Sequence, residues 1–384
     1  MTSQAPTLID LFSGCGGFSL GAELAGFRSL VAVDIEPTLQ SGFKKNFPHT
    51  KALQADVGQI RKADWVQLIG NIRPDGIIGG PPCQGFSRIG KRSKEDPRNT
   101  LIHHFYRHVE ELSPKFFIME NVEGLLDEGN REVLQAAISR ISSRYTVIGP
   151  IVVNAANFGA ATNRKRVIVV GYDPLECDEF DAEYLLDICV PLATVKDAIA
   201  DLPHPIPQLI GPDEYGWAKY PEHSESLSAY AAALRGLPPE GLGWQHAIDQ
   251  LKAGRVSGLF ETVHSAIVTA RYANTRGGTA DKTSKSYKLE WDGLCPTLRA
   301  GTGAEKGAFQ AVRPLHPSEG RVITVREAAR LQAFPDWFVF HPTKWHSFRM
   351  IGNSVSPSVS YGLLSRIRGK LANVSLSNYN RMVA

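Results

Sequence analysis

A short apolar run that ends in two glycines and two prolines constrains the fold more than any other part of this sequence. The stretch is Asp75-Gly-Ile-Ile-Gly-Gly-Pro-Pro-Cys83-Gln-Gly-Phe-Ser87. Two isoleucines followed at once by glycines predict a buried strand that stops abruptly. The prolines then fix the backbone, so the chain leaves the sheet in one stiff direction. Cys83 is therefore expected in a rigid loop at the carboxyl end of a strand, where open α/β sheets bind their ligands, and we interpret it as a nucleophile.

Composition places the chain among ordinary globular proteins that work in a reducing compartment. The 384 residues are 43% apolar and 21% charged, which predicts a large core and two domains. The net charge of +3 permits a polyanionic partner if the basic residues cluster. Five scattered cysteines without a CxxC pair argue against disulfides and against a zinc site, so no metal is expected. No secretory signal or membrane-spanning apolar run is found, which predicts a cytoplasmic protein.

Strand ends near the N-terminus have the pattern of a nucleoside pocket. An apolar run, residues 8–12, leads into a glycine-rich turn over residues 13–21, but the spacing is not GxGxxG, which disfavours a nicotinamide oxidoreductase. A second strand, residues 30–34, ends in Asp34, which is placed to hold the two hydroxyls of a ribose. Asp56 follows another short strand pattern. A single glycine turn or strand-end acid fits a tight turn or a helix cap equally well, but the combination favours a nucleoside.

Two later strands carry further polar side chains, and the first of them ends in a carboxylate at the same sheet edge as Cys83. The apolar strand over residues 115–122 contains Glu120, which could act there as a proton donor, although helix capping fits this single strand end equally well. Arg164, Lys165 and Arg166 directly precede a β-branched strand, and could orient a substrate or hold its phosphates. The basic segment 88–98 fits either a solvated loop or a lid that contacts phosphates.

The region from Pro205 to about Arg321 has no sustained helical or strand period and is rich in proline, glycine and single aromatics. Five of its basic residues gather near its middle and are interleaved with Ser and Thr: Arg271, Arg276, Lys282, Lys285 and Lys288. This composition fits a nucleic-acid groove and a solvated insert equally well. Regular structure is expected again from a capping box at Thr324 and in a final helix that begins near Pro357.

In this order the segments resemble the DNA (cytosine-5) methyltransferases of bacterial restriction-modification systems over most of the chain. The matching segments are Asp10-Leu-Phe-Ser-Gly-Cys-Gly-Gly17, Pro81-Pro-Cys-Gln84, Glu120-Asn-Val122, Arg164-Lys-Arg166, Arg326-Glu-Ala-Ala-Arg-Leu-Gln-Ala-Phe-Pro335 and Gly352-Asn-Ser-Val-Ser-Pro357. The resemblance implies an α/β, Rossmann-like S-adenosylmethionine-dependent methyltransferase domain with a doubly wound, mostly parallel sheet. It also implies a second, smaller, irregular α+β target-recognition domain. The expected ranges are 1–193 for the catalytic part, 194–345 for recognition and 346–384 for a C-terminal segment that packs back against the first glycine-rich turn.

The resemblance implies S-adenosylmethionine as the cofactor, with S-adenosylhomocysteine as its product. The residues expected to line the cofactor pocket are Phe12, Gly14, Gly17, Asp34, Ile35, Asp56, Val57, Pro82, Leu101, Asn353 and Val355. Asp34 stands where the family more often has Glu, so its ribose contact is expected to be longer or mediated by water. Thr162 replaces the usual Gln before the two arginines, so no contact is carried over to that side chain.

The resemblance also implies catalytic roles. Cys83 would add to carbon 6 of a cytosine turned out of duplex DNA, Glu120 would contact N3, and Arg166 would hold O2. Arg164 would hold a phosphate or neighbouring side chains. The residues expected to contact DNA are Ser87, Arg88, Arg271, Arg276 and Lys285. Double-stranded DNA is the implied partner. A cognate restriction endonuclease that acts on the same site is expected only because members of the family are associated with one.

Two alternatives share the expected fold. One is a related methyltransferase that acts on transfer RNA, which Gly85-Phe86 after the cysteine and the long irregular region both disfavour. The other is a non-catalytic nucleic-acid-binding protein, which would not need a thiol, an acid and an arginine at one sheet edge.

Overall fold

The computed structural model describes residues 5–82, 100–211, 213–222, 227–300 and 313–382. The strands are β1 (Thr7–Leu11), β2 (Arg28–Asp34), β3 (Lys51–Gln54), β4 (Gly76–Gly79), β5 (Phe116–Asn121), β6 (Thr146–Asn154), β7 (Thr162–Asn163), β8 (Lys165–Tyr172), β9 (Ala218–Lys219), β10 (Arg255–Val256) and β11 (Cys295–Pro296). The helices are α1 (Gly17–Leu24), α2 (Pro37–Asn46), α3 (Lys62–Ile69), α4 (Thr100–Leu112), α5 (Asn130–Ile138), α6 (Ala182–Leu186), α7 (Val195–Ile199), α8 (Ala229–Leu234), α9 (Gln245–Lys252), α10 (Ala266–Asn274), α11 (Val325–Leu331), α12 (Lys344–Asn353) and α13 (Pro357–Met382).

Seven of the described strands form one sheet in the order β3-β2-β1-β4-β5-β8-β6. The first five are parallel, and β8 runs antiparallel to both of its neighbours. Every residue of β1, β4 and β5 is buried, because helices cover both faces of the central strands. The expected doubly wound, mostly parallel sheet is therefore confirmed.

The strand order reverses between β1 and β4, and the helices that follow these two strands cover opposite faces. Phe18 and Ala22 of α1 pack in one core together with Leu8. Phe105 and Val109 of α4 pack in the core on the other face. A reversal of this kind opens a crevice at the carboxyl ends of the two strands, and it is the usual ligand position in such sheets.

Helix α13 returns to the N-terminal part of the chain and packs against α1. The Ser360 hydroxyl donates to the carbonyl of Phe18 at 2.6 Å, and Arg368 Nη1 donates to the carbonyl of Ala25 at 2.8 Å. These two hydrogen bonds hold the last helix against α1, whose first residues belong to the glycine-rich segment. The domain boundaries at residues 193 and 345 stay predictions, and residue 345 lies inside α12.

The region between α7 and α11 contains short helices, two-residue strands and small apolar clusters. One cluster is formed by Tyr215, Trp217 and Val339, and another by Tyr272 and Leu315. Strand β11 pairs with β7, which directly precedes β8, so this region is attached beside the main sheet. Among the described residues, no helix is long and apolar enough to cross a membrane.

Candidate functional site

A glutamate and an arginine from adjacent strands form an ion pair at the carboxyl edge of the sheet. Glu120 lies near the end of β5 and Arg166 near the start of β8, and antiparallel pairing of these strands brings them together. Arg166 Nε lies 2.8 Å from Glu120 Oε1. Glu120 is only 8% exposed, so the pair is partly shielded from water and its geometry is better fixed than that of a surface pair. The predicted proximity of these two side chains is observed.

The loop that leads to the predicted nucleophile begins directly beside this pair. Asn121 Nδ2 donates to the carbonyl of Pro81 at 3.2 Å, which ties the end of β5 to the loop after β4. A Cβ atom added to Gly80 would lie 3.0 Å from Glu120 Oε2, so glycine leaves the space that the carboxylate needs. Pro82 is exposed, and Cys83 lies outside the described residues. Sequence reasoning selected neither Asn121 nor Gly80 as a site residue, although Asn121 directly follows Glu120.

Arg164 has a different environment from the one expected for a phosphate-binding residue. It is 2% exposed, and its Nη2 donates to the carbonyls of Gly352 and Ser354 at 2.9 and 2.7 Å. Its Nη1 donates to the carbonyl of Leu298 at 3.2 Å. Burial and the charge of Arg166 lower the pKa of the Arg164 guanidinium. Arg164 was expected to hold a phosphate or neighbouring side chains, but both of its terminal nitrogens donate to backbone carbonyls, and its buried Nε has no partner among the described residues. In this arrangement the guanidinium positions the turn after α12.

That turn packs directly on the glycine-rich turn at the N-terminus. A Cβ atom added to Gly17 would collide with the Ser354 hydroxyl and the Val355 carbonyl, so the two turns approach at a distance that only glycine allows. Asn353 is exposed between them, and Val355 is buried. Thr162 is also buried, and its hydroxyl donates to the carbonyl of Cys295 at 2.9 Å, so this departure from the family pattern makes a contact inside the fold.

Asp34 lies at the end of β2, across from the glycine-rich turn. Its Oδ2 accepts from the Gly14 amide at 2.8 Å and its Oδ1 from the Glu36 amide at 2.9 Å. Burial raises the pKa of this carboxyl group. Each oxygen retains a lone pair for a further donor, such as a hydroxyl group. The neighbouring Ile35 is 66% exposed, so an apolar side chain is accessible beside this half-buried acid.

Asp56 and Val57 follow β3 beside Asp34, whose carbonyl accepts from the amide of Ala55 at 3.1 Å. Asp56 Oδ1 accepts from the Gly58 amide at 2.8 Å, so the carboxylate is held by the turn that follows it. Asp56 also borders a cavity of about 460 Å³ between β3 and α3. Val57 is buried, and Leu101 of α4 is half-buried.

Two residues of the first strand and turn have features that indicate a ligand. Phe12 has a left-handed backbone conformation (φ 61°), which is rare for an aromatic residue and often marks a functional site. Asp10 is 1% exposed; its Oδ2 accepts from the Ser19 hydroxyl at 2.6 Å, and its Oδ1 has no partner among the described residues. Burial raises the pKa of Asp10 to about 7. Sequence reasoning did not select Asp10, because an acid inside a strand pattern gives no signal of its burial.

The residues expected to contact DNA have unequal surroundings. Arg276 and Lys285 are exposed. Arg271 Nε lies 3.0 Å from Asp281 Oδ1, so its charge is already partly compensated. Lys288 is buried, and its Nζ donates to the carbonyls of Tyr272 and Glu319, so its place in the basic cluster was wrong. Ser87 and Arg88 lie outside the described residues.

Comparison with known proteins gives one consistent result. Residues 7–369 match the family model for C-5 cytosine-specific DNA methylase. The Type II methyltransferase M.XorII of Xanthomonas oryzae pv. oryzae is 41% identical over 365 residues, which cover 92% of this chain and 82% of the relative. The Type II methyltransferase M.DdeI of Desulfomicrobium norvegicum is 30% identical over 411 residues, with 97% and 90% covered.

Solved structures agree with these sequence matches. A protein described as a DNA modification methyltransferase encoded within a prophage (E. coli) superimposes with a TM-score of 0.86 at 41% identity, covering 96% of this chain and 100% of that one. The S. pombe Dnmt2 methyltransferase superimposes with a TM-score of 0.60 at 18% identity, covering 95% and 99%, and supports the fold alone.

Proposed function

Because the chain belongs to the C-5 cytosine-specific DNA methylase family, we propose that it methylates carbon 5 of a cytosine within a specific duplex sequence through a covalent adduct of Cys83. The family assignment makes the protein a DNA (cytosine-5) methyltransferase that uses S-adenosylmethionine. The adduct, the turning-out of the target base and the roles of individual residues are the proposed part.

The residues at the β1–β2 edge fit a positively charged sulfonium nucleoside. Three carboxylates, Asp10, Asp34 and Asp56, belong to the first three strands or to their ends. A Cβ atom built on Gly14 would meet nothing within 4 Å, so free space adjoins the backbone there. Asp10 Oδ1 is buried without a described hydrogen-bond partner and leaves one polar atom at this edge unsatisfied.

Three side chains at this edge are proposed to bind different parts of S-adenosylmethionine. When bound, S-adenosylmethionine supplies a methyl group on a positively charged sulfur, which makes the methyl carbon electrophilic. Asp34 would accept hydrogen bonds from the ribose hydroxyls with the lone pairs that the backbone amides leave free. Asp56 would accept from the exocyclic amine of adenine. Ile35, exposed beside Asp34, would cover one face of the base.

Carbon 5 of cytosine is a poor nucleophile because its electrons belong to an aromatic ring. Addition of the Cys83 thiolate to carbon 6 would break that aromaticity and place electron density on carbon 5. Sulfur suits this task because a thiolate is strongly nucleophilic and can leave again. Once carbon 5 has been methylated and has lost its proton, expulsion of the Cys83 thiolate restores the ring.

The Glu120–Arg166 pair would stabilise the charge that this addition pushes into the ring. We propose that Glu120 contacts N3 as the proton donor and that Arg166 donates to O2. Arg166 is held for this task by its 2.8 Å contact with Glu120. Arg164 would not touch the base and would act indirectly, because its hydrogen bonds fix the turn that packs on the glycine-rich turn of the proposed cofactor site.

The target base must leave the duplex for this chemistry, because stacked neighbours cover both faces of its ring. We propose that the region between α7 and α11 faces the major groove and that Arg276 and Lys285 contact the DNA. Ser87 and Arg88 are proposed to lie near the vacated position in the helix.

One observation carries the proposal. The loop that leads to Cys83 is hydrogen-bonded through Pro81 to Asn121, the neighbour of Glu120, so the nucleophile loop begins at the acid–arginine pair. A non-catalytic binder would have no use for this juxtaposition.

Duplex DNA that carries 5-fluorocytosine at the target site tests the adduct. Fluorine cannot leave carbon 5 as a proton does, so we expect a covalent complex that survives denaturation in the presence of S-adenosylmethionine, with the DNA mapped to Cys83 by mass spectrometry. Cys83→Ser should abolish the complex, and Cys189→Ser, which changes an exposed cysteine, should retain it. Absence of an adduct at a confirmed target would contradict the mechanism.

The substrate is tested by the same labelled-methyl assay on duplex DNA and on transfer RNA, with transfer expected only to DNA. Because the relatives are named Type II methyltransferases, we also propose a paired restriction endonuclease for the same site. DNA from cells that express the protein should then resist one member of a panel of restriction enzymes. That enzyme, together with bisulfite sequencing, identifies the recognition sequence.

A further inference from the structure

A fully buried histidine on α4 contacts the segment that carries Asp56 and Val57. His108 is 0% exposed, and its Nε2 lies 3.0 Å from the carbonyl oxygen of Val57. On the other side of the ring, the indole Nε1 of Trp65 donates to His108 Nδ1 at 3.0 Å. Trp65 is itself 1% exposed, so both ring nitrogens of His108 are engaged inside the core.

Donor counting fixes the tautomer of this histidine. An indole N–H can only donate, so Nδ1 must accept and carry no proton. The single proton of the neutral ring then lies on Nε2 and is donated to the Val57 carbonyl. Arg107 Nη2 lies 3.2 Å from Nε2, but its own protons are donated to the carbonyls of Val57 and Gly58, so it does not need Nε2 as an acceptor. Glu111 Oε2 lies 3.3 Å from Nδ1, but a proton on Nδ1 would leave the buried indole N–H without an acceptor. Burial lowers the pKa of His108, which agrees with a neutral ring.

Arg107, the preceding residue, holds the same segment from beside the histidine. Its Nη2 donates to the carbonyls of Val57 and Gly58 at 3.2 and 3.4 Å, and its Nη1 donates to the carbonyl of Ile60 at 2.9 Å. Glu111 Oε1 accepts from Arg107 Nη1 at 2.9 Å and balances the charge. Two adjacent side chains of α4 therefore define the backbone of residues 57–60.

The orientation of the Asp56 carboxylate depends on this backbone. Asp56 Oδ1 accepts from the Gly58 amide, and the peptide between Val57 and Gly58 supplies both that amide and the carbonyl that His108 contacts. A rotation of this one peptide would release the carboxylate and the carbonyl together.

We propose that His108 is a positioning residue for the cofactor: by donating to the Val57 carbonyl it holds the Asp56 turn in the conformation that binds the adenosine end. The inference rests on the proposed cofactor role of Asp56 and Val57. It predicts that a side chain with only the Nε2 donor preserves cofactor affinity, whereas one with only the Nδ1 acceptor does not.

Two amide variants separate these functions of the ring in the full-length protein. His108→Gln places its amide near Nε2 and keeps a donor for Val57, whereas His108→Asn places its amide near Nδ1 and keeps an acceptor for Trp65. Titration calorimetry with S-adenosylhomocysteine should show a roughly fivefold higher Kd for the Asn variant, the effect of about one hydrogen bond, and less than about a twofold change for Gln. The KM for S-adenosylmethionine should follow the Kd, with kcat at saturating cofactor unchanged.

Thermal unfolding without ligand separates this role from a merely structural one. Each variant loses one buried hydrogen bond, so the two Tm values should fall by similar amounts while the Kd values diverge. Equal Kd values in the two variants would overturn the inference. Should the Asn variant fail to fold, Arg107→Met removes the other donor to Val57 and must raise the Kd instead; an unchanged Kd there overturns the inference as well.

Asp56→Asn distinguishes failure of this inference from failure of the proposed function. A raised Kd for Asp56→Asn together with equal values for the two His108 variants would leave the cofactor site in place and remove only the role of His108. An unchanged Kd for Asp56→Asn would show that the cofactor lies elsewhere, and the inference would be overturned together with its premise.

Discussion

At the scale of single residues, the space around the Glu120 carboxylate depends on the absence of one methyl group. Gly80→Ala would place a Cβ atom 3.0 Å from Glu120 Oε2, which forces a shift of a few tenths of an ångström in a side chain held by Arg166. Since catalysis is steeply sensitive to the placement of reacting groups, we expect kcat to fall roughly tenfold. Steady-state methylation assays with saturating DNA and cofactor measure this change.

A double-mutant cycle tests whether the effect of Gly80→Ala passes through the carboxylate. In a Glu120→Gln background, whose own kcat is already low, the alanine should cause little further loss. An equal loss in both backgrounds would mean that the alanine acts on the loop after β4 and not on Glu120.

The buried carboxyl group of Asp10 should make the stability of the protein depend on pH. Its pKa of about 7 when folded lies above the usual carboxyl value, so protonation stabilises the native protein and stability falls as pH rises through 7. Between pH 6 and pH 8 this one group should lower the free energy of unfolding by about 1.4 kcal/mol. Urea unfolding of the cofactor-free protein should show this difference against Asp10→Asn, which cannot ionise. Parallel pH profiles for the two proteins would contradict the assignment.

At the scale of elements, close contact between α1 and α13 depends on Gly21. A Cβ atom there would lie 2.5 Å from both the Pro357 carbonyl oxygen and the Tyr361 amide nitrogen, which are backbone atoms and cannot move aside cheaply. Gly21→Ala should therefore destabilise the protein by about 2–3 kcal/mol, as overpacking does, despite the better helix propensity of alanine. Chemical denaturation measures the loss.

Gly369 on α13 provides the matched control. A Cβ atom at this position would lie 3.7 Å from the Tyr184 hydroxyl, an ordinary contact, so Gly369→Ala should be neutral or stabilising by up to about 1 kcal/mol. If both alanines stabilised the protein, helix propensity would outweigh packing, and the close approach of α1 and α13 would be wrong.

Elements with local signals were predictable from the sequence. The expected capping box at Thr324 is present with Glu327 as its acidic partner, and α13 begins at Pro357 as expected. These signals depend on residues three or four apart, so they survive without knowledge of the fold. The apolar strands that end near Asp34 and Glu120 were also predictable, because a short apolar run is a local signal.

Surroundings that depend on distant parts of the chain were not predictable. The charge run before β8 suggested a phosphate contact for Arg164, but its acceptors are carbonyls 188 and 190 residues further along the chain. Lys288 appeared to belong to a basic surface and is instead buried against two carbonyls. A sequence shows that a residue is charged, but its burial depends on which backbone acceptors the fold brings to it.

At the scale of the whole molecule, affinity for DNA must come from clustered charge, because the net charge is only +3. The exposed Arg276 and Lys285 are the described basic residues that we expect to meet phosphates. Each alanine variant should weaken binding to all duplexes alike and reduce the slope of log K against log salt by about 1. Fluorescence anisotropy with target and non-target duplexes over a range of salt concentrations measures both effects.

Variants of Arg271 and Lys288 distinguish contact with DNA phosphates from a structural role in the same region. Arg271 is already paired with Asp281, so Arg271→Ala should change the salt slope by less than one counterion. The Lys288 ammonium donates to two carbonyls inside the region between α7 and α11, so Lys288→Met should lower Tm before it alters the salt slope of the folded protein. If Arg276→Ala and Lys285→Ala left the slope unchanged while Lys288→Met reduced it, the DNA-facing surface would have to include the side of the region where Lys288 is buried. The proposed orientation of the recognition region would then be wrong.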